Sequence, residues 1–172
     1  MTFVELILAV LVTTALLFLM IGWMSNLRQT AKTDLARTML AHLDIALARY
    51  HRANDQFPPV KGSDSTQSAV VQLLNHERTR PVIESLPASV RRGPGGRNLV
   101  DPWGTPLRYF SESEDSPFVK ANEGRPVFIS AGPDRDFGDH DAACIGDNLR
   151  SDDPDREGFR PLLTLREAAG EK

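Results

Sequence analysis

Residues 6–24 read LILAVLVTTALLFLMIGWM, 19 residues without a charged side chain. At about 1.5 Å of rise per residue, a helix of this stretch is roughly 28 Å long, close to the hydrocarbon thickness of a bilayer. A soluble core would have to cover every face of such a helix, which needs a larger domain than this chain leaves around it. A cleaved secretory signal has a basic start, a shorter apolar core and a small-x-small cleavage site. Here the start, Met1-Thr2-Phe3-Val4-Glu5, holds no Lys or Arg, and no such site follows Trp23. Trp23 suits a membrane–water boundary instead. The stretch predicts a transmembrane helix.

Two neighbours of the run do not fit a plain anchor. Glu5 lies at its beginning, where a carboxylate is costly unless paired. The first basic residues, Arg28, Lys32 and Arg37, all follow the run. Taken alone, they would hold the C-terminal part in the cytoplasm. A short basic leader ahead of Met1, since removed, would reverse that orientation.

The whole chain has 172 residues, enough for one ordinary domain beside the apolar helix. Its hydrophobic fraction of 41% and charged fraction of 25% are those of a globular protein. A net charge of −3 and a pI near 5.8 argue against a general nucleic-acid binder. The one cysteine, Cys144, excludes an intrachain disulfide and any multi-cysteine metal cluster.

No proline interrupts the chain before Pro58. Leu27, Ala31, Leu35, Met39, Leu43, Ala46, Leu47 and Tyr50 recur at spacings of three and four, an apolar stripe on an otherwise polar helix. Asn54-Asp55 and Phe57-Pro58-Pro59 are stop signals. One helix is therefore expected from about residue 2 to about residue 53. Residues 1–24 form its membrane half and residues 25–54 its amphipathic half. A coiled coil would also use the stripe, but packing on a small domain is the better reading.

Residues 55–172 are expected to form a globular α+β head. Residues 65–74, STQSAVVQLL, predict a short helix with Ser65 or Thr66 as N-cap. Pro81 to Pro87 predict a further helical turn, and RRGPGGR at 91–97 reads as a loop. Residues 107–110, 118–119 and 126–129 read as short strands. They lie too close in sequence for helical crossovers, so the sheet should be antiparallel.

Residues 130–157 hold eight Asp and one Glu. Carboxylate and carbonyl oxygens suit a hard cation such as Ca²⁺, and Gly132, Pro133, Gly138 and Gly146 would let the chain bend around one. The spacing is not that of an EF-hand. By composition alone the segment reads as a solvated acidic loop rather than a cation site.

Catalytic readings are poor. His42, His51, His76 and His140 lack a zinc-ligand spacing. His140, Asp141 and Cys144 could suggest a nucleophile and base, but an acidic surrounding disfavours the thiolate. There is no phosphate-cradling loop. The chain is expected not to be an enzyme.

Four segments carry a family resemblance. Met1-Thr2-Phe3-Val4-Glu5-Leu6 resembles the mature N-terminus of type IV pilin-like proteins. Asp101-Pro102-Trp103-Gly104-Thr105-Pro106 resembles the Asp-Pro-Trp-Gly-x-Pro segment of the major pseudopilin of type II secretion systems. Ser130-Ala131-Gly132-Pro133-Asp134 resembles the Ser-x-Gly-x-Asp loop of that protein, and Asn54-Asp55-Gln56-Phe57-Pro58 its turn after the long helix. They stand in the family's order over residues 1–153. Met1 replaces the commoner Phe, the loop after Asp134 is longer and more acidic than usual, and residues 155–172 have no counterpart.

The resemblance implies a type IV pilin-like α+β fold, its long helix packed on a small antiparallel sheet with a C-terminal calcium-binding loop. It implies a prepilin cut before Met1 by a prepilin peptidase that methylates the new N-terminus. The subunit would sit in the inner membrane as a single pass with its head in the periplasm. It would then polymerise into a helical filament with minor pseudopilins and an inner-membrane assembly platform, supporting protein transport by type II secretion. Glu5 would pair with the α-amino group of residue 1 in a neighbouring subunit, setting axial register. One Ca²⁺ would tie the C-terminal loop to the sheet. Asp134 matches its first acidic ligand and Asp147 its second, with Ala131, Asp136, Asn148 and Ser151 as further oxygen donors. The inserted residues 140–145 interrupt that match. Asp101, Pro102, Trp103, Gly104 and Pro106 would be architectural. A type IV pilin or a minor pseudopilin fits the same marks. From another class, so does a single-pass anchored calcium- or ligand-binding domain that never polymerises.

Overall fold

The chain from Thr2 onward is rich in Leu, Ala and Val and free of proline, and it forms one 52-residue helix, α1 (Phe3–Asn54), in a computed structural model. That model describes residues 2–60, 65–138 and 146–152. The expected N-methylated Met1, the insertion 140–145 and the tail 155–172 lie outside the described residues.

Contacts divide the chain at Asp34/Leu35 into two units. In the first, α1 is long and apolar enough to cross a membrane, and none of its apolar window is buried. Phe3, Leu8, Phe18, Leu19 and Trp23 are all more than 60% exposed. The two hydroxyls in this stretch suit an apolar medium, because Thr13 and Thr14 donate back to the Val10 carbonyl at 3.0 and 2.7 Å.

In the second unit the α1 stripe becomes a core. Met39, Leu40, Leu43, Ala46 and Leu47 are at most 2% exposed. They cluster with Ala69, Val70 and Leu73 of α2 (Ser65–Asn75), with Val82 and Ile83 of α3 (Arg80–Glu84), and with Tyr109 and Phe128 from the sheet. The stop signal at Asn54-Asp55 works through two bonds. Asp55, at a left-handed φ of 53°, donates its N–H to the His51 carbonyl at 2.8 Å, and the Asn54 side chain donates to Tyr50 O at 3.0 Å.

The sheet is antiparallel, as expected. Its three strands are β3 (Arg108–Phe110), β4 (Val127–Ser130) and β5 (Leu149–Arg150), in that order. Every residue of β4 is buried. Phe128 enters the main core, whereas Val127 and Ile129 join Val119, Phe110, Phe118 and Phe137 in a second cluster. That alternation is the period of two expected of a strand covered on both faces.

Three local expectations are corrected. Phe118-Val119 is not a strand but part of helix α4 (Pro117–Ala121), because Ser116 Oγ accepts the Phe118 N–H and Pro117 occupies the first helical position. Residues 91–97 are not a plain loop. They form a small hairpin in which β1 (Arg91–Arg92) pairs with β2 (Asn98–Leu99) across a 3₁₀ turn at Pro94–Gly96. Ser65 and Thr66 do not cap their own helix. Ser65 Oγ donates to Tyr109 O at 3.0 Å and Thr66 Oγ accepts Tyr109 N–H at 2.8 Å, closing the outer edge of β3.

Candidate functional site

Three of the four marked segments have described geometry that bears on function: the start of α1, the Asp101–Pro106 turn and the acidic loop.

At the start of α1, Thr2 and Glu5 satisfy each other. Glu5 N–H donates to Thr2 O at 3.0 Å, and the Glu5 carboxylate accepts the Thr2 N–H at 2.9 Å. A Glu three residues after a Thr, reaching back to that residue's N–H, is the returning half of a capping box. Sequence reasoning passed over this Thr-x-x-Glu pattern. Both residues are exposed within the protomer.

Asp101 organises the turn. Its Oδ1 accepts the N–H groups of Trp103 at 3.0 Å and Thr105 at 2.8 Å. Its backbone closes the turn through Gly104 N–H to Asp101 O and Asp101 N–H to Thr105 O. Gly104 sits at φ 93°, a conformation side chains resist, and nothing crowds its Cα. Trp103 is buried, Pro102 half-buried and Pro106 exposed, and the bridge between Val100 and Pro106 brings the two arms together.

The turn and the acidic loop meet. The second oxygen of Asp101 accepts the Ser130 hydroxyl at 2.9 Å, and Ser130 Oγ in turn accepts Gly132 N–H at 3.2 Å. Beyond Ser130 the loop folds through a run of side-chain-to-backbone bonds. Asp134 Oδ1 accepts Asp136 N–H and Asp136 Oδ1 accepts Gly138 N–H, both at 2.9 Å. Asp147 Oδ2 accepts Asp134 N–H at 3.4 Å. Phe137 lies in the second apolar cluster with the Arg108 guanidinium 4.1 Å above its ring, which ties the loop to β3.

Five of the six expected ligand residues gather here: Ala131, Asp134, Asp136, Asp147 and Asn148. Ser151 goes elsewhere. It is fully buried and extends the ladder, its N–H donating to Phe128 O and its hydroxyl accepting Phe128 N–H. Two features at the cluster are unusual. Asp147 Oδ1 is buried and accepts no hydrogen bond among the described residues. One terminal atom of the Asn148 carboxamide lies 3.0 Å from Asp136 O and 3.1 Å from Ala131 O. With nitrogen at that position it donates to both carbonyls. Among the described residues no three His, Cys, Asp or Glu side chains converge, so any cation would depend on carbonyl and carboxamide oxygens as well as on acids.

Two of the three described histidines are ring-packed, and His42 Nδ1 is buried with no hydrogen-bond partner among the described residues. His51 lies 4.4 Å from the Phe57 ring and His76 5.4 Å from that of Tyr50. His140, Asp141 and Cys144 lie outside the described residues. An open groove of about 510 Å³ borders the hairpin, with Thr66, Gln67, Arg92, Arg97 and Arg108 among its walls. No family model, no curated protein and no solved structure matches the chain.

Proposed function

We propose that the protein is a structural filament subunit of the major pseudopilin type, supporting type II protein secretion. The observation that carries this reading is the first unit: a helix apolar on every side, covered by none of the described residues, that begins with a lone carboxylate. A bilayer accepts such a helix, and so does a bundle of identical helices. In the filament, subunits exchange lipid contacts for one another's helices. Glu5 then meets the α-amino group of residue 1 in a neighbour, which removes much of the cost of a buried carboxylate. Processing before Met1 by a prepilin peptidase supplies that amino group. The subunit resides in the inner membrane with its head in the periplasm until an assembly platform and minor pseudopilins draw it into the filament.

A calcium ion belongs to the same reading. A hard cation takes carboxylate, carbonyl and carboxamide oxygens; Asp147 Oδ1 has no partner among the described residues, and the Asn148 carboxamide meets Asp136 O and Ala131 O at 3.0 and 3.1 Å. Asp147, Asn148, the carbonyls of Ala131 and Asp136, and Asp134 would hold it. The ion supplies structural cross-linking between the loop and β4–β5, and no chemistry.

The test is assembly of the full chain. Purified in detergent and transferred to detergent-free buffer, it should form helical filaments visible by electron microscopy. Mass spectrometry of the native protein should find N-methylated Met1. Material that stays monodisperse, with a first helix dispensable in the cell, would overturn the proposal and favour a non-polymerising anchored domain.

A further inference from the structure

We infer that the Ser130 hydroxyl, oriented by the Asp101 carboxylate, is the positioning group that sets the acidic loop on the sheet and seats Asp147. Asp101 is 2% exposed and Ser130 is fully buried, so neither has water to turn to. A hydroxyl has one proton. Here the hydroxyl donates that hydrogen bond to the Asp101 carboxylate, at 2.9 Å, and the oxygen's lone pairs face Gly132 N–H at 3.2 Å. A serine whose proton was otherwise engaged could present the same oxygen only by chance of rotamer; the carboxylate makes that orientation obligatory.

Gly132 passes the restraint on. At φ 73° its Cα lies so close to Asp147 that a Cβ there would stand 2.5 Å from Asp147 O. The two backbones touch with no side chain between them. Fixing the Gly132 amide therefore fixes where the 146–148 segment can lie, and with it the buried oxygen of Asp147. Asp101 and Ser130 are 29 residues apart, and they stand in two different segments of the four marked ones. They are two ends of one hydrogen-bonded unit. The competing account is that the β4–β5 ladder, where Ser130 faces Leu149, holds the loop unaided.

The order of the loop can be tested by itself, and only the calcium arm rests on the proposed cation site. Amide hydrogen exchange is compared across 131–138, 146–149 and the core segments 39–47 and 69–73, on the full chain in detergent without calcium. Ser130→Ala should raise exchange in both loop segments about tenfold and leave the core unchanged. Asp101→Asn, which turns one accepting oxygen into a donor, should shift the same segments in the same direction. Ser111→Ala removes another buried hydroxyl and should leave the loop as it was. Loop exchange unchanged in Ser130→Ala, or equally raised in Ser111→Ala, would overturn the inference. Should Ser130→Ala also lose core protection, Asp101→Asn decides alone, and an unchanged loop there would overturn it. In a Ca²⁺ titration Ser130→Ala should bind about tenfold more weakly than the unaltered chain, and equal affinity would refute the seating of Asp147. An unaltered chain that binds no Ca²⁺ would sink the cation reading, while the exchange data still judge Ser130.

Discussion

The Glu5 carboxylate accepts the backbone N–H of Thr2 at 2.9 Å, so this acid serves the start of its own helix. That gives Glu5 a role inside one protomer beside the proposed one between protomers, and the two roles need different atoms. Capping needs an acceptor oxygen; pairing with a cationic neighbour needs a negative charge. Glu5→Gln keeps the acceptor and removes the charge, whereas Glu5→Ala removes both. Both variants should insert in the membrane, and both should give few filaments. Helix content by circular dichroism should be unchanged in Glu5→Gln. Normal filament yield from Glu5→Gln would reduce Glu5 to a helix cap.

Calcium should change the sign of a substitution at Asp147. Without the ion, the buried Oδ1 has no hydrogen-bond partner among the described residues, and burying such an oxygen is destabilising. Asp147→Asn retains an acceptor for Asp134 N–H and removes the charge. In chelator the variant should be as stable as the unaltered chain or about 1 kcal/mol more stable. With calcium at a hundred times its dissociation constant the unaltered chain should gain about 2.7 kcal/mol and the variant little. Thermal unfolding with chelator and with calcium measures both. The same order of stabilities in the two buffers would count against the cation.

Ser116 is the residue that turns Phe118-Val119 from a strand into helix α4. Its hydroxyl accepts Phe118 N–H, and the segment also buries Val119 against Val127 and Ile129. Ser116→Ala should cost about 1 kcal/mol. Ser116→Asp, which also caps and adds a favourable charge at a helix start, should cost less. Denaturant midpoints of the three proteins give the comparison, and an alanine variant of undiminished stability would show that packing alone holds α4.

The parts of the fold legible in the sequence were those set by long-range pattern. Nineteen uncharged residues and an unbroken run to Pro58 fixed α1 to within two residues, because a helix this long outvotes any local preference. Alternation and turn residues located β3 and β4. What escaped was decided by one side chain meeting one distant backbone group. Phe118-Val119 has strand-forming residues, yet a single serine and a proline ahead of it select a helix. Ser65 and Thr66 are ordinary cap residues by type, and only the placement of Tyr109 beside them, 44 residues on, makes them cover a strand edge. At the loop, the acids announced themselves by composition, but which backbone groups their side chains accept from, such as the Asp136 and Gly138 N–H groups, follows from the turn and not from residue type. The Asp101–Ser130 bond joins two segments that looked independent for the same reason.

Alkaline pH should unfold the head through Tyr109. Its ring is 2% exposed and packs 4.8 Å from Phe128, and its hydroxyl donates to Pro58 O at 3.2 Å. Burial raises the phenol far above its ordinary value of 10.0, and the negative charges of Glu112 and Glu114 and the Tyr50 phenol raise it further. The folded state thus keeps a proton that the unfolded chain releases near pH 10.0. Below that pH both states hold the proton, and Tyr109 gives no pH dependence. Above it the unfolded state is favoured by up to about 1.4 kcal/mol for each pH unit. Tyr109→Phe abolishes this term and loses a hydrogen bond worth about 1 kcal/mol. The variant should therefore be the less stable protein at pH 8, with the gap closing and then reversing as pH passes 11. Denaturant unfolding of both proteins in detergent, followed by near-ultraviolet circular dichroism at several pH values, measures the gap. A difference that stays constant from pH 8 to pH 11.5 would mean that Tyr109 ionises in the folded head as readily as in the unfolded chain.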